Sequence, residues 1–445
     1  MDNGAQTFVG IDIGTSFVKL IAMQTTNNNI NVVGVGIAQS TGMNKGMVVD
    51  INQTVEDIKA AQKDLNKKSQ ILIDQVVVGI PTNYLSIKNL KGSIELGKDP
   101  REVNERDLKE LVSSILNEHQ SVENDFVGIA VEEFIVDNFD GISDPLGMMG
   151  TTLSIHCLAY AIPKTIFRNI IKAVERSGFK VRNIVLNPIA AAEVSLSSAQ
   201  KEMGSILIDA GSGKTSYSIF QNNLLQMSGT IFEGGKNITS DISKVLKISE
   251  KDAESVKIDY GSLKTGQIQD SESFVIQSLD QANEVKVGDK YLSEIIHARF
   301  EQIFTKIKNK LNSTNAFDLP GGIIITGGNS ALPGTEEEAG NILGRPVNIY
   351  IPNQIGLRSQ IYTVAFGMIV HTWHLSRVQM ILESTLKVNK FEKFQPEMQE
   401  EQTLNDENTD LNFGTESGVK SKPQKKEKKS GFFSSLRRWI YNLFE

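Results

Sequence analysis

Residues 206–219 read ILIDAGSGKTSYSI, and residues 9–21 read VGIDIGTSFVKLI. The two stretches share one grammar: an apolar run, Asp-x-Gly, a small turn, then a second run. Asp12 matches Asp209, and Gly14 matches Gly211. Such runs around such a turn predict a β-hairpin. The hairpin occurs twice, roughly 200 residues apart, as expected of two related domains with insertions.

Gly213-Lys214-Thr215 ends like an ATP-binding P-loop. That motif also needs a glycine at position 208 and a helix after the threonine. Position 208 is Ile208. TSYSIF then alternates, QNN reads as a turn, and LLQMSG resumes as a strand. The tripeptide is a decoy.

The repeated hairpin carries its own chemistry. Glycine lets a turn approach a ligand closely, and successive backbone N–H groups form an anion-binding concavity. Two such turns facing across a cleft can clamp a polyphosphate. Asp12 and Asp209 would then face a magnesium ion, through its waters. Lys19 and Lys214 could offset phosphate charge. An ordinary Asp-Gly hairpin has the same local sequence, so the repetition is what favours phosphate binding. A third cluster, GGIIITGGNSALPG (321–334), reads as a buried strand and a Gly-Gly turn. Gly327 and Gly328 would let a base or ribose pack against the backbone.

The chain has 445 residues, too many for one core, so two or more domains are expected. A net charge of −7 does not favour general nucleic-acid binding. The lone Cys157 cannot form an internal disulfide or a multi-cysteine zinc site. The histidines show no metal-ligand spacing and read as structural. The polar start, MDNGAQT, suggests no signal peptide, and no apolar run approaches the ~20 residues of a spanning helix. A cytoplasmic protein is the expectation.

From about 7 to 385 strand-like and helix-like segments alternate, which is α/β grammar. NQTVEDIKAAQKDLNKKSQ and KTIFRNIIKAVERSGF read as amphipathic helices, DQVVVGI and VRNIVL as strands. PREVNERDLKELVSSILNE (100–118) reads as a surface helix. Its Glu105, Arg106, Asp107, Lys109 and Glu110 need no role beyond solvation.

Near Phe391 the composition changes. The next stretch, through Val419, has eight acidic residues against one lysine, which predicts a disordered acidic linker. KSKPQKKEKKS follows, strongly basic. The end, GFFSSLRRWIYNLFE, spaces Phe432, Phe433, Leu436, Trp439, Ile440, Leu443 and Phe444 by threes and fours on one helical face. Arg437 and Arg438 lie beside that face. Such a helix is ~20 Å long, too short for a ~30 Å hydrocarbon core. It suits a helix lying in the interface of an anionic membrane, although it could also dock back on its own body.

Asp-x-Gly-Thr, the second Asp-x-Gly-x-Gly and the late Gly-Gly-x-Ser resemble the actin/Hsp70/sugar-kinase ATPase superfamily. NPIAAAE (187–193) and VAFGMIV (364–370) sit where that superfamily has its two connecting helices. DPLGMMGTTLSIHCLAYAIPK (144–164), EGGKNITSDISKVLKIS and DAESVKIDYGSL resemble the bacterial cell-division FtsA family. The linker and amphipathic end fit that family too. The resemblance implies an actin-like ATPase fold, with two related α/β domains around a nucleotide cleft.

Its boundaries would be 7–82, 163–190 and 360–385 for the first subdomain and 83–162 for an FtsA-type insert. The second actin-like subdomain would take 191–225 and 305–359, and a fourth 226–304. A linker at 391–430 and a membrane helix at 431–445 would complete the chain. The resemblance implies ATP and Mg2+. Asp12, Gly14, Thr15, Ser16 and Lys19 would line the first phosphate loop. Asp209, Gly211, Ser212, Gly213, Lys214 and Thr215 would line the second. Gly235, Asn237, Glu254 and Lys257 would approach ribose and base, with Gly327, Gly328 and Asn329 completing the pocket.

It also implies filaments of the chain on the cytoplasmic membrane at the septum. These would recruit the tubulin-like protein FtsZ, through its C-terminal peptide on 226–304, and later divisome proteins. Two departures stand out. Relatives often have Asp-x-Gly-Gly-Gly-Thr-Thr-Asp at the second loop, where Ser212, Lys214 and Ser216 differ. Hsp70-like enzymes have Glu-Pro where this chain has Asn187-Pro188. Asparagine can hold a water but cannot take its proton, so weak or absent hydrolysis is expected. Glu193 is the substitute candidate, though a plain surface charge fits it equally. The rival readings are a small-molecule kinase of the same superfamily and a pilus-type actin-like ATPase.

Overall fold

A computed structural model describes residues 6–26, 29–69, 71, 73–264, 273–277 and 284–391. The amphipathic segment (431–445) and the linker beyond Phe391 lie outside the described residues.

The repeated hairpin seeds two sheets of the same topology. In the first, β1 (Gln6–Ile13) pairs antiparallel with β2 (Phe17–Thr26), and β2 with β3 (Asn29–Gln39). A small hairpin, β4 (Met43–Asn44) with β5 (Met47–Val48), follows. Parallel β6 (Gln75–Ile80) and then β13 (Lys180–Leu186) extend the other side of β1. In the second sheet, β14 (Ser205–Ala210), β15 (Thr215–Gln221) and β16 (Leu224–Ile231) form the same meander. Parallel β19 (Ile323–Thr326) and β20 (Val347–Ile349) complete it. The orders are β13-β6-β1-β2-β3 and β20-β19-β14-β15-β16. Lys214 leads into strand β15 rather than a helix, which confirms that Gly-Lys-Thr is no P-loop.

Continuous apolar runs mark these central strands because helices cover both sheet faces. Val76, Val77, Val78 and Ile80 of β6 are wholly buried. Helix α1 (Ile51–Lys68) starts at Asp50, whose side chain accepts from the Gln53 N–H. It packs Ile58, Ala61 and Leu65 into the core beside β3. Helix α3 (Lys164–Arg176) buries Ile166, Phe167, Ile170, Ile171 and Val174, a stripe at helical spacing. Each such side chain contributes roughly 1.5–3 kcal/mol by leaving water.

Two helices join the halves. α4 (Asn187–Ser195) follows β13, and α10 (Thr363–His374) returns to the first sheet. They cross at Gly367, where a Cβ would lie 1.8 Å from the Ala190 carbonyl oxygen. Short α5 (Ser198–Met203) leads into β14. A separate lobe holds α6 (Gly235–Leu246), α7 (Glu250–Tyr260), hairpin β17 (Ser273–Gln277) with β18 (Glu284–Gly288), and α8 (Asp289–Leu311). α9 (Thr335–Leu343) lies against α8.

The insert is a four-stranded sheet, β10 (Phe139–Ile142), β9 (Asn124–Val136), β12 (Thr152–Pro163) and β7 (Ser86–Glu95). The pair β8 (Arg101–Glu102) with β11 (Met149–Gly150) edges it. Helix α2 (Glu105–Glu118) covers one face with Leu108, Leu111, Val112 and Ile115. Its Asp107 is buried, not solvated: it closes a capping box with Asn104 and pairs with Arg101 at 2.6 Å. Solvation is thus the wrong reading for Asp107. Charge patterning alone could not separate a cap from a surface charge. Helix α11 (Arg377–Phe391) adds Val378, Ile381, Leu382 and Leu386 to the insert's core. Glu383 meanwhile accepts from Asn183 of β13 at 2.7 Å. So α10 belongs to the first sheet, while α11 bridges that sheet and the insert.

Candidate functional site

The two hairpin turns face each other. The Ser16 and Ser212 hydroxyls lie 2.5 Å apart, and Gly213 packs directly on Thr15. Each turn closes on itself in the same way. Gly14 N–H donates to the Phe17 carbonyl at 3.0 Å, and Gly211 N–H to the Lys214 carbonyl at 3.1 Å. Thr15 Oγ1 accepts from the Gly46 N–H at 3.1 Å. Thr215 is buried, and its hydroxyl donates to the Glu233 carbonyl at 3.0 Å.

The charged groups differ between turns. Asp12 and Lys19 are cross-strand neighbours and form an ion pair at 2.5 Å, both nearly buried. Lys19 also donates to the Ile361 carbonyl at 3.1 Å. Asp209 instead has Ser216 opposite it. Burial, then the charge of Asp12, pushes the Asp209 carboxyl up to about 6, while Lys214 and Lys19 pull it down. Burial brings the Lys214 ammonium down to about 8, against the pull of Asp209 and Asp12. Lys214 donates to Asn83 Oδ1 at 2.6 Å.

Asp209 and Lys214 line a pocket with Thr82, Asn187, Pro188, Ala191, Leu207, Ser216 and Ser218. Asn187 Oδ1 is buried there with no hydrogen-bond partner. A partnerless buried acceptor is costly and marks a position for an unseen donor. Glu193 is engaged elsewhere, paired with Lys201 at 3.1 Å and 3.1 Å from His374 Nδ1. Burial raises its carboxyl, but His374 and Lys201 outweigh that and leave it below its ordinary value.

The third wall comes from α6 and the Gly-Gly turn. Gly235 N–H donates to the Gly211 carbonyl at 3.1 Å and packs on the Asn329 side chain. Asn329 Nδ2 donates to the Gly211 carbonyl at 3.0 Å. Asn237 Oδ1 accepts from the Gly234 N–H at 3.0 Å. Lys257 is buried and donates to the Gly235 carbonyl, Thr239 Oγ1 and Glu254. Gly327 holds φ +91°, and a Cβ on it would stand 2.3 Å from Asp209 Oδ1. Gly328 opens the one-turn helix that follows, toward Ile361. The residues read from sequence around the cleft thus converge, except Glu193, which faces other partners.

Three residues escaped the sequence reading. Thr82 bonds Ser228 at 2.8 Å across the domains, Asn83 holds Lys214, and Lys236 Nζ reaches the Thr15 carbonyl at 3.4 Å. Lys236 follows the Gly-Gly of EGGKNIT, a signal of sorts. Thr82 and Asn83 lie in an unremarked loop, and only the fold brings them in. Among the described residues, no group of three or more His, Cys, Asp or Glu side chains could hold a metal.

Solved structures share this architecture. The PilM–PilN type IV pilus biogenesis complex matches with a TM-score of 0.54 and 14% identity, over 82% of this chain and 98% of that one. MreB 5 of Spiroplasma citri bound to AMPPNP matches with 0.51 and 16%, over 87% and 99%. The paired sheets and facing hairpins define a protein of the actin-like ATPase fold. Family models for cell division protein FtsA and for the SHS2 domain inserted in FtsA match residues 206–367 and 82–161. FtsA of Enterococcus hirae is 36% identical over 438 residues, 98% of this chain and 99% of that protein. FtsA of Bacillus subtilis is 33% identical over 377 residues, 85% and 86% of the two chains. The chain belongs to the FtsA family of cell-division proteins.

Proposed function

We propose that this actin-like cell-division protein binds ATP between its two hairpin turns and uses it to assemble on the cytoplasmic membrane. The observation that carries the reading is the facing pair of turns with Lys19, Lys214 and Lys236 gathered around them. The site fits a nucleotide on two further grounds. Asn187 Oδ1 lacks a partner in the pocket, and a side chain at Gly327 would collide with Asp209.

Asp12, Gly14, Thr15, Ser16, Lys19 and residues 209–215 would hold the phosphates. Gly235, Asn237, Glu254, Lys257, Gly327, Gly328 and Asn329 would surround the nucleoside. Magnesium, when bound, screens phosphate charge. Asp12 and Asp209 suit such an ion carried by the phosphates and met through its waters. Asn187 can orient a water but not accept its proton, and Glu193 is tied to Lys201 and His374. Hydrolysis is therefore slow, and ATP acts through binding.

The tail supports the rest of the reading. The aromatic face of 431–445, with Arg437 and Arg438 beside it, suits a helix lying in an anionic membrane. Among the described residues, no helix is long and apolar enough to cross one. The scaffold would self-associate, hold FtsZ through its C-terminal peptide on the 226–304 lobe, and recruit later divisome proteins at the septum.

Co-sedimentation with anionic vesicles tests this, with ATP-magnesium and FtsZ present. The full chain is compared with one stopped at Ser430. The full chain should carry FtsZ down while the truncation leaves both in solution. Full-length protein staying in solution would sink the anchor reading.

A further inference from the structure

The insert leaves the first half between β6 and α3, yet its root also touches the second half. Thr82 Oγ1 bonds Ser228 Oγ at 2.8 Å, and Ser218 Oγ donates to Ser228 Oγ at 3.1 Å. Ser218 and Ser228 are cross-strand partners, so this hydroxyl chain ends on the paired strands β15 and β16. Tyr160 of β12 donates its hydroxyl to the Leu225 carbonyl at 3.1 Å. Tyr160 and Leu225 are both buried, in one apolar core with Phe220. β16 is the outer strand of its sheet, so the insert docks on an edge.

The character of these contacts suits a joint that opens and closes. The hydrogen bonds are neutral and individually modest, because water competes for both groups. Tyr84 holds φ +59°, a left-handed conformation costly for tyrosine, and its exposed ring stands 5.5 Å from that of Phe232. The joint also borders the pocket, since Thr82 and Ser218 line it together with Asn187 and Asp209. Drawing β15 and β16 away from the insert parts that wall.

We infer that the root of the insert is a latch on the cleft. Thr82 with Ser228 and Tyr160 with Leu225 hold the second half closed against the insert, and the cleft opens only as the insert lifts off β15 and β16. The insert thereby sets how long a ligand stays in the pocket. That last consequence rests on the nucleotide reading; the latch itself does not.

The test places spin labels on the full-length chain through Val122→Cys in the insert and Met203→Cys beside β14, both exposed. Cys157 takes no label, because it is buried. Their separation is measured by pulsed electron resonance without ligand. Thr82→Val with Tyr160→Phe keeps both shapes and removes both hydroxyls. It should raise the population at long separation at least about fivefold, the factor that one lost neutral bond gives. Ser228→Ala, which cuts the hydroxyl chain from the other side, should act in the same direction. Release of a fluorescent ATP analogue should speed up at least about fivefold in the double variant. Ser154→Ala is the control, since it removes a bond to Ser93 at 2.9 Å inside the insert and should change neither reading. Unchanged separations in both latch variants overturn the inference. So does an equal change in Ser154→Ala, or faster opening with unchanged release. No analogue binding by the wild type overturns the nucleotide reading, and the separations still decide the latch.

Discussion

The Ser16 and Ser212 hydroxyls meet at 2.5 Å across the cleft, so a side-chain hydrogen bond ties together the two turns of the repeat. A neutral bond of this kind is worth about 1 kcal/mol net. Ser212→Ala should therefore speed hydrogen exchange at the Gly14–Ser16 amides about fivefold, without moving the global unfolding midpoint. Unchanged exchange would mean that other contacts, such as Lys236 with Thr15, hold the turns.

Gly327 occupies a left-handed backbone conformation directly against Asp209. Gly327→Ala combines backbone strain with a collision at a carboxylate oxygen. We expect a loss of about 1–3 kcal/mol, read as a lower urea midpoint with an unchanged slope. A wild-type midpoint would show that the Gly-Gly turn shifts freely.

The same substitution should have opposite signs in two helices. Gly367→Ala drives a methyl into the Ala190 carbonyl where α10 crosses α4, and should destabilise by about 1–3 kcal/mol. Ala190→Gly should not rescue it, because the obstacle is backbone. Gly340→Ala in α9 meets only the Arg345 carbonyl at 3.4 Å. It should stabilise by about 0.5–1 kcal/mol through helix propensity. Thermal denaturation of the three variants decides the order.

Asp107 is held below the ordinary carboxylate range, chiefly by the Arg101 hydrogen bond, against the cost of burial. The unfolded chain binds this proton more tightly, so the stabilisation is complete above the usual aspartate value of about 3.9 and is lost below it. Asp107→Ala should cost about 1–2 kcal/mol at neutral pH, from the lost Arg101 pair and the lost capping-box bond to the Asn104 N–H. The gap from wild type should shrink in acid. A gap that is constant with pH would count against an ionised cap.

Asp209 carries the opposite sign. Its folded carboxyl titrates at about 6, above the unfolded value, so ionising it costs stability as pH rises through that interval. Asp209→Asn should stabilise the ligand-free protein by on the order of 1 kcal/mol near pH 7.5, and by almost nothing near pH 4. Lys214 loses an attractive neighbour, which limits the gain. Destabilisation at neutral pH would show that Asp209 is a net structural asset. A stable variant with weaker ATP binding would mark a residue kept for function.

The repeat was legible without coordinates because a strand–Asp-x-Gly–strand unit is local. Its apolar alternation and its turn are written in consecutive residues, and two copies imply two sheets. The rejected P-loop was legible for the same reason, since a β-pattern after Thr215 leaves no room for a helix. The expectation of a membrane helix at 431–445 likewise rests on periodicity alone, and those residues lie outside the described ones. What required tertiary structure was every relation between distant segments. The meeting of Ser16 with Ser212, the Asn83 hold on Lys214, the Lys236 reach to Thr15 and the role of α11 as a bridge all join residues far apart in the chain. Even Asp107, six residues from Arg101, changed from surface charge to buried cap once the insert's core closed around it. Local pattern sets which elements form, because hydrogen bonding and side-chain period are short-ranged. Burial and charge pairing depend on which elements pack together, and only the folded chain decides that.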